Sequence, residues 1–134
     1  MTDDAFPTAA GVVRFLGECI ASGVAFKATA GLHHPLRAVY PLTYAPDAPR
    51  GAMFGFLNIL LAVALLREGR GDEAATRALE EGSPEAMRFD ANGLEWRGQT
   101  LSLQALERAR ESLMAFGSCS FREPVGDLRA MHLL

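Results

Sequence analysis

Apolar residues recur at helical spacing through Val12, Val13, Leu16, Cys19 and Ile20, with Thr8 placed to cap the first turn and Gly23 to stop the last. The pattern predicts an amphipathic helix over residues 8–22. The run Val24 to Thr29 is too short for a helix and lies between Gly23 and Gly31, which predicts a buried strand over 24–29. Periodicity then vanishes. Pro35, Pro41, Pro46 and Pro49 alternate with Tyr40, Tyr44 and small residues, a composition suited neither to a helix nor to an interior strand. A long Pro-rich loop over 35–50 is expected, either a lid whose tyrosines cover a bound ligand or a flexible insertion.

Residues 52–67 form the most apolar stretch, interrupted by Gly55 and Asn58, and read as a buried helix too short to span a bilayer. Glu68-Gly69-Arg70-Gly71 ends it, and a second amphipathic helix is expected from Asp72 to about Glu81. Ser83 and Pro84 open one short turn. Residues 88–96 alternate around Asn92-Gly93, predicting a small β-hairpin in which Trp96 covers the edge of the core. Ser102 caps a helix running to Met114, Ala115 to Phe121 is a second candidate strand, and Pro124 opens a last helix to about Met131.

Two strands joined by so long a helical connection must run parallel, with a right-handed crossover. The fold class expected is α/β: a partial (β/α) barrel-like unit with few parallel strands, a helical crossover and a small hairpin. Strands 24–29 and 115–120 would take the seventh and eighth places of a (β/α)8 barrel. Two parallel strands leave unpaired edges, and residues 52–66 are apolar on nearly every side. A homo-oligomer, in its simplest form a dimer, is therefore expected.

Composition narrows the function classes. At 134 residues, with 49% hydrophobic and 22% charged residues, the chain is one packed domain over residues 1–134. A net charge of −3 without a Lys/Arg run argues against nucleic acid or an anionic membrane as partner, which leaves a small-molecule substrate. Cys19 and Cys119 make neither a disulfide framework nor a metal-type pair, and the acidic start Met-Thr-Asp-Asp-Ala lacks the features of a signal peptide. Both observations favour a reducing, cytoplasmic setting.

Lys27 is the only lysine among 13 basic residues and sits inside an apolar segment, where its charge costs desolvation unless it has a partner or a task. It is either a functional amine or a structural lysine paired with Glu123 or Asp127. If the two strands are adjacent and parallel, Lys27, Thr29, His33, His34, Ser118, Cys119 and Ser120 share the rim where α/β folds bind ligands. Adjacent histidines in an extended segment point opposite ways, so at most one of His33 and His34 faces the site. Cys119 is a candidate nucleophile or an inert thiol, Cys19 a core residue, and Asn58 a buried amide with a possible place in the site.

Three classes compete. In the first, Lys27 forms an imine with a carbonyl substrate in lyase or aldolase-like chemistry, with His33 or Thr29 moving protons. In the second, Cys119 or Ser118 is the nucleophile of an ester or phosphoester hydrolase with His33 as base, or His33, His34 and His132 hold a metal. No HxH or HExxH spacing supports the metal version, and neither metal nor cofactor is expected. The third is a non-enzymatic binding or assembly domain.

The strings Phe26-Lys27-Ala28-Thr29-Ala30-Gly31-Leu32-His33-His34-Pro35, Phe54-Gly55-Phe56-Leu57-Asn58 and Phe116-Gly117-Ser118-Cys119-Ser120-Phe121-Arg122-Glu123-Pro124-Val125-Gly126-Asp127-Leu128 resemble the C-terminal portion of a family of longer uncharacterised bacterial proteins. The resemblance covers nearly the whole chain and implies an equivalent of the end of a larger α/β protein. In that family a histidine often precedes the Gly-Phe-Leu-Asn string, where this chain has Met53-Phe54. Lys27-Ala28-Thr29-Ala30-Gly31 is also locally similar to the lysine strands of deoxyribose-phosphate-type aldolases.

Overall fold

A computed structural model describes residues 7–29, 32–118 and 122–134. Helix α1 (Ala9–Ala21) begins where the Thr8 hydroxyl accepts from the Gly11 amide. It closes with Gly23 N–H on Ile20 O and Val24 N–H on Cys19 O, Gly23 taking the left-handed conformation (φ 65°) that this double closure needs. That closure draws Val24 into the helix exit and leaves it 54% exposed. Strand β1 is therefore only Phe26–Ala28, shorter than the 24–29 expected.

The Pro-rich segment is not a structureless loop. Strands β2 (Ala38–Pro41) and β3 (Arg50–Met53) pair antiparallel around residues 42–49, and Leu42 N–H bonds Pro49 O at the neck. A two-stranded ribbon is all edge, so Pro41 at a strand end removes no ladder bond that the fold requires. The apolar helix α2 (Phe56–Arg67) consequently starts later than residue 52, after Gly55.

Helix α3 (Asp72–Leu79), a single 3-10 turn at Pro84–Ala86, and strands β4 (Met87–Asp90) and β5 (Gly93–Trp96) follow. The expected hairpin carries a third strand, β6 (Gln99–Ser102), through a tight turn at Arg97 (φ 44°) and Gly98 (φ 79°). It is more than a decoration, because Leu94, Trp96 and Leu101 are buried in the main core. Ser102 caps α4 (Leu103–Ser112), which ends two residues short of Met114 because Leu113 turns into strand β7 (Leu113–Phe116). Helix α5 (Arg122–Ala130) starts two residues before Pro124, which its first turn accommodates.

The architecture is mixed helix and strand, with three small sheets among the described residues: β1–β7, β2–β3 and β4–β5–β6. The expected parallel pairing is present, Phe26 lying opposite Leu113 and Ala28 opposite Phe116, with an irregularity after Phe26. Residues Leu61 to Leu65 of α2 have no exposed surface, since α1, α3 and α4 pack around the helix. The all-round apolar helix is thus covered by its own chain, and its need for a second copy, inferred from the sequence, falls away. Among the described residues no helix is long and apolar enough to cross a membrane.

One carboxylate ties the three-stranded sheet to the helices. Glu81, 5% exposed, accepts from Trp96 Nε1 at 2.9 Å, from Ser83 N at 2.9 Å and from the Arg97 guanidinium. The Arg97 contact, helped by the Ser83 amide and the Trp96 indole and opposed by burial, holds the Glu81 carboxyl down at about 2. A carboxyl that is more acidic in the folded chain stabilises the fold above its unfolded value of 4.5, and this contribution disappears as pH falls toward 2. Arg97 is 58% exposed, so solvent screening limits the loss in Glu81→Gln at neutral pH to about 2 kcal/mol. Urea denaturation from pH 7 to pH 3 should show the two proteins converging as the solution is acidified. A constant gap would refute the assignment.

Candidate functional site

The site is built where the segment 33–37 meets the start of α2. Phe56 N–H bonds His34 O and Leu57 N–H bonds Pro35 O, both at 3.0 Å, so the open amides of the helix's first turn are satisfied by the histidine segment. Asn58, with no exposed surface, completes the join. Its Oδ1 accepts from Arg37 N (2.8 Å) and Gly55 N (3.0 Å), and its Nδ2 donates to Ala78 O and Glu81 O (both 2.8 Å). All four hydrogen-bonding positions of the amide are used. Asn58 does not line the cleft described below; its amide ties the segment before it to α2 and α3.

Both histidines are anchored through Nδ1. His33 Nδ1 lies 3.0 Å from Ser118 Oγ. His34 Nδ1 lies 2.6 Å from Asp127 Oδ2 on α5. Since the carboxylate can only accept, His34 carries its proton on Nδ1 there, and Nε2 is left for other work. The His34 ring lies flat on Tyr40 of β2, centroids 3.6 Å apart and planes 8° from parallel. The Tyr40 hydroxyl donates to Leu36 O at 2.8 Å, and burial, with the nearby Asp127 charge, pushes its pKa upward. Tyr40 thus forms part of the cleft wall beside His34. Tyr44, in the loop between β2 and β3, is 76% exposed.

These side chains border a cleft of about 350 Å3, lined among others by His33, His34, Tyr40, Tyr44, Met53 and Glu123. Both histidines face it. The expectation that at most one could do so assumed an extended chain, whereas the backbone bends through residues 34–36.

The rim expected from the parallel strands is assembled in part. Gly117 N–H bonds Ala28 O at 2.8 Å just beyond the β1–β7 ladder, and the Thr29 side chain lies against Gly117. Ser118 follows directly and reaches His33. Thr29 itself is exposed and does not line the cleft. Lys27 is exposed on β1 and does not line it either. The apolar segment does not bury Lys27, because among the described residues no further strand or helix covers that face of the β1–β7 pair. Asp127, one of the two carboxylates considered for Lys27, is paired with His34 instead. Cys119 and Ser120 lie outside the described residues.

From the sequence, Asp127 and Glu123 were read only as partners for Lys27 and Tyr40 only as a lid residue; their places around the histidines were not foreseen. A signal for the first two existed: Glu123 and Asp127 are four apart, so one helix face presents both. Among the described residues no group of three or more His, Cys, Asp or Glu side chains could hold a metal ion. Cys19 is a half-buried free thiol packed against the core.

Comparison with family models, curated proteins and solved structures finds no match to this chain.

Proposed function

We propose that the chain is a hydrolase of a small ester or phosphoester in which Ser118 is the nucleophile and His33 its base. The observation that carries this reading is the 3.0 Å approach of Ser118 Oγ to His33 Nδ1 beside a cleft that His33 lines. As Ser118 Oγ bonds the acyl carbon or phosphorus, its proton passes to His33. The bond to the leaving oxygen breaks, and that proton is handed to the departing alcohol. Water then attacks the same centre, its proton goes through His33 back to Ser118 Oγ, and the acid is released. His34, oriented by Asp127 in the same cleft, offers Nε2 as a second proton-transfer group.

The same proposal takes β1 and β7 as counterparts of two adjoining strands of a (β/α)8-like barrel, with the site beyond their C-terminal ends. Their parallel pairing across a long helical connection supports it. A cytoplasmic setting and a homodimer are further parts of the reading; they rest on the cysteine usage and on the open edges of the β1–β7 pair.

A fluorophosphonate probe should add its mass to the peptide containing Ser118, and Ser118→Ala should abolish the adduct. His33→Ala should slow labelling by about a hundredfold while leaving the fold intact, as expected for loss of a general base. Undiminished labelling of the Ser118→Ala protein would sink the proposal.

A further inference from the structure

The hydrolase reading leaves carboxylic esters and phosphoesters equally open, and the charge around the cleft separates them. Among the described residues no lysine or arginine lines it. Two nearby basic side chains are engaged elsewhere: the Arg50 guanidinium donates to Val39 O at 2.9 Å, and Arg37 lies over the Phe54 ring, 5.9 Å from its centroid. Carboxylates are present instead, Glu123 on the lining and Asp127 behind His34. A phosphate group brought here would meet acidic side chains without the Arg, Lys or metal clamp that phosphoryl chemistry uses.

The lining contributed by residues 40–45 and Met53 is mostly apolar or aromatic, Thr43 being the polar exception. Pro41, Leu42, Tyr44 and Met53 of the β2–β3 ribbon join Tyr40, which is already locked against His34. The volume, about 350 Å3, lies at the small end of ligand pockets, which run from about 300 to 1,000 Å3.

We infer that the substrate is an uncharged carboxylic ester with a compact apolar or aromatic acyl group seated against the β2–β3 ribbon, and not a phosphoester. The inference rests on the hydrolase reading, and it adds a specificity role for Tyr44. Tyr44 is an exposed aromatic on the cleft lining, and its ring offers an aromatic acyl group a contact surface.

The full chain is assayed with 4-nitrophenyl acetate, 4-nitrophenyl benzoate, 4-nitrophenyl hemisuccinate and 4-nitrophenyl phosphate, beside fluorophosphonate labelling. Expected are turnover of the two neutral esters, a preference for benzoate, and kcat/KM lower by about a hundredfold for the hemisuccinate and the phosphate. Tyr44→Ala should reduce the benzoate-to-acetate ratio of kcat/KM by about tenfold, the size of one lost aromatic contact. Phosphate turned over as well as the neutral esters, with Ser118 labelled, would overturn the inference and leave the hydrolase reading standing. A benzoate-to-acetate ratio unmoved by Tyr44→Ala would overturn the assigned acyl wall. No turnover of any of the four, with Ser118 unlabelled, would overturn the hydrolase reading and the inference with it.

Discussion

Asn58→Ala should destabilise the protein by roughly 4 kcal/mol, since each buried backbone group left without a partner costs about 1–3 kcal/mol. The substitution strands Arg37 N–H, Gly55 N–H and Glu81 O at once and takes from Ala78 O one of its two donors, the other being Glu81 N–H. Water does not readily replace the amide, because Asn58 has no exposed surface. Asn58→Asp, nearly the same shape, should be worse at neutral pH. Its carboxylate would turn an acceptor toward the Ala78 and Glu81 carbonyls where Nδ2 now donates. Urea denaturation followed by far-UV circular dichroism measures both. A loss under about 1 kcal/mol in either variant would show that the amide does not bind the histidine segment to α2 and α3 as described.

Gly55→Ala should damage the same junction by a different route. The backbone at Gly55 is ordinary extended chain (φ −95°), so the requirement for glycine is one of space. An added Cβ would overlap the carbonyl of Pro35 and the amide nitrogen of Leu36. These are backbone atoms held by the Leu57 N–H bond to Pro35 O, so neither can rotate aside as a flexible side chain would. A loss of about 3 kcal/mol is expected, as for a strong overpacking substitution. His34, the residue before Pro35, should shift with the segment and lose its contact with Asp127. Gly17→Ala is the control. A Cβ there meets nothing within 4 Å inside α1, and the change should stabilise the protein by roughly 0.5–1 kcal/mol. Equal melting temperatures for Gly55→Ala and wild type would contradict the close approach.

The local elements were legible because their signals are local. Thr8 and Ser102 each satisfy an open amide three residues on, Gly23 terminates α1, and apolar spacing sets the inner faces of α1 and α3. Parallel pairing of two strands could be deduced from the length of the connection alone. The composition of residues 35–50 misled because proline excludes interior strands only. With one neighbour, β2 and β3 tolerate it, and the expected loop is a ribbon.

What only the tertiary structure decided is which side chains are covered, and burial decides chemistry here. Lys27 lies in an apolar string, yet whether it is desolvated depends on what packs over that face of β1, and no described element does. The apolar α2 needs cover on every side, and α1, α3 and α4 of the same chain supply it. Asn58 is read from the sequence as a buried amide requiring partners. That those partners are backbone groups of the same chain follows from contacts 20 or more residues away. The two histidines were visible as a pair; their common orientation came from a bend at Pro35, held by amides of α2, and from the 85- and 93-residue separations that bring Ser118 and Asp127 to their rings. Caps and periodicity specify elements through neighbours in sequence, whereas a cleft is specified by packing between elements, which no single stretch of the chain encodes.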